Sequence, residues 1–176
     1  MRNAYTGCDM PYPVNAIANA FLNKAAGEGE RISHLKLQKL MYYASGYYLA
    51  LHNKPLIDNM FEAWEYGPVV PALYREFRDF GLNPITRLAK SSEWDEDALP
   101  AAIPIQDEEV NKIIDFVWKN YSKYSALQLS DMTHAERSPW DRTRKEKPGI
   151  RNADIPDEFL KEHFQKLIKP RRNTHV

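Results

Sequence analysis

Between Ser33 and His52 the chain reads SHLKLQKLMYYASGYYLALH, and Leu37, Leu40, Met41, Ala44, Tyr48 and Leu51 recur in it at three- and four-residue steps. Such spacing places them on one side of a helix. Tyr43 and Tyr47 add a second stripe, and a helix apolar over more than one face is usually buried by neighbours on several sides. The pattern therefore predicts a central helix over residues 33–52. Ser33 can cap the free amides of its first turn, and Ile32 and Leu37 stand at the positions of a hydrophobic staple. Gly46 interrupts the run at a cost of about 1 kcal/mol relative to Ala, which close approach of another backbone would justify. Tyr43 and Tyr47 have two candidate neighbours, another helix or a binding partner.

The flanking pattern supplies packing partners. Pro13 opens a helix with the stripe Val14, Ile17, Ala18, Phe21, Leu22 and Ala25, ended by Gly27 and Gly29. Asn53-Lys54-Pro55 makes a turn, and Phe61 to Tyr66 reads as a short strand. Gly67 and Pro68 punctuate the chain before Pro71 opens a helix carrying Leu73, Tyr74, Phe77 and Phe80, closed by Gly81. Residues 82–105 shift to proline, serine and mixed charge, which predicts a long surface connection. A brief strand near Ala102 and Ile103 is the candidate partner of the earlier one.

Asp107 caps a helix with Val110, Ile113, Ile114, Val117, Trp118 and Tyr121 on its core side. Ser125 begins a shorter helix containing Leu127, Leu129 and Met132, which Pro139 is expected to stop. Asp141 to Asn152 then reads as an exposed loop, and a last helix follows Pro156 with Leu160, Phe164, Leu167 and Ile168 on one side. The expected fold is mainly α: a single compact helical domain around a central buried helix (33–52), with a short two-stranded β element. Residues 1–12 read as a flexible leader, 13–168 as the domain and 169–176 as a basic tail.

Composition narrows the function. The 176 residues suffice for one sizeable core. Lys plus Arg and Asp plus Glu number 24 each, so no global field draws nucleic acid or anionic lipid. Cys8 is the sole cysteine of this sequence, which excludes an internal disulfide framework and a cysteine-cluster metal site. With no signal-peptide pattern and no membrane-length apolar run, an untargeted cytoplasmic protein is expected.

Candidate chemistry is sparse. His134 and Glu136 could serve as acid and base, yet polar residues at a helix end more often satisfy its last carbonyls. His-x-Glu is also half of the zinc deaminase signature, whose Pro-Cys-x-x-Cys half this sequence lacks. The other histidines have no metal-ligand spacing, and no cofactor motif is present. Trp64 to Pro71 places large aromatics beside a turn that feeds a helix start, suited to core packing or to recognition. The basic run Arg142 to Lys147 contains Glu146 and no aromatic, which disfavours nucleic-acid binding.

The segments Leu35 to Ala44, Phe61 to Tyr74, Leu129 to His134 and Pro139-Trp140, in that order, resemble the Panacea domain, the group of SocA-like antitoxins and GepA-like phage-associated proteins. The resemblance runs from Pro13 to Trp140, with the last helix taken as part of the same domain. It implies a non-enzymatic antitoxin that neutralises a co-encoded toxin by direct protein–protein binding. An alternative it carries is an adaptor delivering the toxin to the ClpXP protease; a hydrolase or transferase using His134 and Glu136 ranks below both. No cofactor, metal or membrane is implied. The motifs specify neither the toxin, its contact surface nor the oligomeric state. Density of aromatic and polar groups nominates Trp64, Tyr66, Gly67, Pro68, His134, Glu136 and Trp140 as partner-binding residues.

Overall fold

The computed structural model describes residues 10–91, 99–101 and 107–169. Helix α1 spans Val14–Gly27 and α2 spans His34–His52. A hairpin of β1 (Glu62–Trp64) and β2 (Gly67–Val69) follows, then α3 (Pro71–Phe77). Beyond the connection lie α4 (Glu108–Tyr121), α5 (Ala126–Thr133), α6 (Pro139–Glu146) and α7 (Asp157–Ile168). The fold is mainly α, and α2 is its axis, touching α1, α3, α4, α5, α7 and β2.

The boundaries of α2 follow from its caps. The Ser33 hydroxyl accepts from the Lys36 amide at 3.3 Å, and Asn53 ends the helix in the left-handed region at φ 56°. Its main stripe is core, with Leu37, Leu40, Met41 and Ala44 fully buried. Leu51 departs from the expectation at 54% exposed, although Leu49 in the same last turn is buried. The second stripe faces helices: Tyr43 stacks on Tyr121 of α4 at 4.0 Å, and Tyr47 meets the Phe164 ring of α7 at 4.9 Å. Gly46 admits that same ring rather than a backbone, since a Cβ there would lie 2.1 Å from Phe164 Cε2.

The strand at β1 forms, but its described partner is β2, joined by the two residues Glu65 and Tyr66. Gly67 supplies the turn's positive φ of 98°, so residues read as punctuation close a hairpin. Ala102 and Ile103 lie outside the described residues. The other edge of β1 is covered from the segment before α7, where the Ala63 amide donates to Ala153 O at 2.9 Å and Ile155 donates to Phe61 O at 2.8 Å.

Two further expectations are corrected. Pro139 starts a helix rather than stopping one: α5 has already ended at Thr133, Ser138 accepts from the Asp141 amide, Pro139 takes the first-turn place where a missing N–H costs nothing, and α6 occupies much of the supposed loop. The connection after Gly81 is also not wholly on the surface. Asn19 of α1 donates to Ala89 O and Ala101 O at 2.8 Å each and accepts from the Ala89 amide at 2.7 Å, which anchors buried Ala89 and Ala101. On amphipathic α5 only Leu129 of the three named apolar residues is buried, while Leu127 and Met132 face solvent.

Candidate docking site on the hairpin

Five side chains from three helices take the carbonyls along the β1–β2 hairpin. From α6, Arg144 donates to Ala63 O at 3.2 Å and the Trp140 indole to Trp64 O at 2.7 Å. From α5, the Ser130 hydroxyl donates to Tyr66 O at 2.7 Å. From α2, Lys39 Nζ donates to Pro68 O at 3.0 Å and Gln38 Nε2 to Val70 O at 3.2 Å. Gln38 Oε1 also accepts the Val70 amide at 2.9 Å, so the helix start after the hairpin has no free amide at that position for an anion. A short hairpin alone is marginal in water. Here its geometry is imposed by the helices.

Lys39 is the costly member. It is completely buried, and burial lowers its amine from 10.5 to about 7. Gly67 makes room for it, since a Cβ there would stand 3.0 Å from both Lys39 Cε and Nζ and 2.5 Å from Thr133 Oγ1. Thr133 is itself held by its hydroxyl donating to Ser130 O at 2.7 Å.

The nominated residues divide by this geometry. Gly67 and Pro68 are buried in β2, Gly67 pairing with Trp64 next to the turn, whereas Tyr66 at the tip is 60% exposed. Trp64 and Trp140 are half-buried and linked by the indole bond. His134 stacks on Trp140 at 4.0 Å, with Arg144 5.1 Å above the indole ring. Burial, with the Lys39 charge adding to it, lowers the His134 imidazole below its ordinary value, and its Nε2 has no partner among the described residues. Glu136 is not part of this assembly. It lies exposed, 4.0 Å from Arg137, and no hydrogen bond among the described residues joins it to His134. The acid–base pair suggested by their proximity in sequence is not formed.

Lys39, Gln38, Ser130, Thr133 and Arg144 are not among the residues the sequence nominates for partner binding. A signal existed for the first two: a glutamine and a lysine inside a stretch apolar on several faces must be buried, and buried polar groups need partners. Ser130 and Arg144 had none, because nothing in their own segments points to the hairpin. Among the described residues no group of three or more His, Cys, Asp or Glu could hold a metal ion, and no helix is long and apolar enough to cross a membrane.

Fold and site together define a helical scaffold built to hold one short hairpin with an exposed aromatic tip. The profile of the family described as Antitoxin SocA-like, Panacea domain, matches residues 37–141, and the chain belongs to that family. It is 37% identical over 126 residues to Antitoxin SocA of Caulobacter vibrioides, covering 72% of this chain and 67% of that one. No solved structure matches it. The matched region contains all five pinning side chains except Arg144.

Proposed function

We propose that this protein is the cytoplasmic antitoxin of a toxin–antitoxin pair, neutralising a co-encoded toxin by direct binding, with the hairpin tip and the Trp64–His134–Trp140 cluster in the interface. The carrying observation is the pinned hairpin: an exposed Tyr66 on a backbone already fixed from three helices loses little freedom on binding. Tyrosine is also among the residues that concentrate binding energy at interfaces. A non-enzymatic role accords with a His134 ring occupied in stacking and a Glu136 turned elsewhere.

Co-expression with the neighbouring small gene tests this reading. The protein should restore growth that the neighbour alone arrests, and the two should co-purify; growth arrest unrelieved by co-expression contradicts it. Rescue that disappears in cells lacking ClpXP would identify delivery to that protease as the route.

A further inference from the structure

A second concave site lies away from the hairpin tip, between the later half of α2, the segment before β1 and the first turn of α7. Its volume is about 170 Å³, well below the roughly 300 to 1,000 Å³ of pockets that take drug-sized ligands. It suits a single side chain. Leu49, Leu56, Phe61 and Leu160 form apolar walls, and Ser45, Asp58 and Asp157 supply the polar groups. Tyr12 straps this segment, its amide donating to Leu56 O at 2.8 Å and the Asp58 amide donating to Tyr12 O at 3.1 Å.

Three observations point to the occupant's chemistry. Ser45 is only 7% exposed, yet its Oγ has no hydrogen-bond partner among the described residues. A buried hydroxyl left unpaired costs free energy that a donor would recover. Neither Asp58 nor Asp157 has a side-chain hydrogen bond or ion pair among the described residues, and burial raises the Asp157 carboxyl above its ordinary value. The first turn of α7 carries both Asp157 and Glu158; their full charges outweigh the half-charge of the helix end, so an anion is disfavoured.

We propose that this pocket is an anchor site accepting one lysine or arginine side chain of the partner protein. The aliphatic stem would lie against the apolar walls while the cationic head meets Asp58 and Asp157 and offers Ser45 Oγ a donor. It rests on the reading that this chain works by binding a toxin, and adds a second contact to the hairpin.

Two measurements on the full chain test it. The first titrates n-butylammonium against the ¹⁵N-labelled protein alone, with n-butanol as the neutral control. Chemical shifts at Ser45 and Leu49 should move with the ammonium, less with the alcohol, and no longer in the Asp58→Asn/Asp157→Asn variant. The second measures affinity of that variant for the co-encoded toxin, which should fall by about tenfold or more and lose part of its salt dependence. No shift with butylammonium overturns the proposal, as does variant affinity within about twofold of wild type. If the wild type fails to bind the toxin, the antitoxin reading fails, and the pocket's cation preference is still decided by the first measurement.

Discussion

The Trp140 indole N–H donates to the Trp64 carbonyl at 2.7 Å, joining α6 to the end of β1 across 76 residues of sequence. Half-buried and charge-neutral, this bond ties β1 to α6, as Lys39 and Gln38 tie the end of the hairpin to α2. Trp140→Phe keeps a ring against His134 but leaves the Trp64 oxygen without its donor. The variant should lose about 1 to 3 kcal/mol in urea unfolding. Equal stability would mean that water replaces the indole without cost.

Gly67→Ala should be more damaging than an ordinary turn substitution. It imposes a side chain at φ 98° and puts a Cβ 2.5 Å from Thr133 Oγ1. Gly81, at φ 55°, has nothing within 4 Å of its added Cβ. Strain alone therefore applies to Gly81→Ala, on the order of 1 kcal/mol, whereas Gly67→Ala should exceed 2 kcal/mol. Comparable unfolding midpoints for the two variants would contradict the close packing of Gly67 on Lys39 and Thr133.

Gly46→Ala tests the contact with α7. Helix propensity alone favours the alanine by about 1 kcal/mol, but its Cβ would sit 2.1 Å from the Phe164 ring. Overpacking should win, with a net loss of about 1 to 2 kcal/mol. Phe164→Leu in the same chain should make the Gly46 substitution less costly than it is alone, which a double-mutant cycle in urea measures.

Stability should rise with pH over an unusual range. Lys39 has a folded value of about 7 against 10.5, so between those limits the unfolded chain binds the extra proton. Its burial cost, on the order of 5 kcal/mol, is fully present below pH 7 and is relieved as pH climbs to 10.5. His34, lowered by burial to about 4, gives a second rise between that value and 6.5, and His134 and His163 are shifted in the same direction. Tyr42, Tyr43 and Tyr121 are all raised, chiefly by burial, so stability should decline above pH 10 as unfolded tyrosines ionise. Unfolding free energy should therefore gain about 1.4 kcal/mol per pH unit through the middle of the Lys39 window. Lys39→Met should remove that gain; a wild-type profile flat from neutral pH to pH 9 would contradict an amine whose proton burial loosens to about 7.

Much of the fold was legible because local and global signals agree. Ser33, Asp107 and Ser125 each cap a helix whose core stripe begins within the next turn, and all three caps are formed. Pro139 is ambiguous in sequence for a physical reason: a proline can bar one helix or open the next, and only the Ser138 cap before it marks this one as a start, α5 having ended at Thr133. The aromatic and polar density that nominated Trp64, Tyr66, His134 and Trp140 did mark a joined cluster of side chains and hairpin. Glu136 stands apart from that cluster, because the left-handed turn at Arg137 and the capping at Ser138 leave it on the surface. Lys39 escaped notice because a lysine on a helix normally reaches solvent. Its burial depends on Gly67 and Thr133, which come from two other segments.

On the proposed antitoxin reading, the helices hold the hairpin so that its exposed tip docks the toxin. Calorimetric affinity of Tyr66→Ala for the co-encoded toxin tests it most directly, because the ring is exposed and its removal should leave the unfolding midpoint unchanged. The predicted result is a loss of about 2 kcal/mol or more in binding, roughly thirtyfold in affinity. Wild-type affinity in a normally folded Tyr66→Ala protein would contradict the claim and move the interface off the hairpin tip.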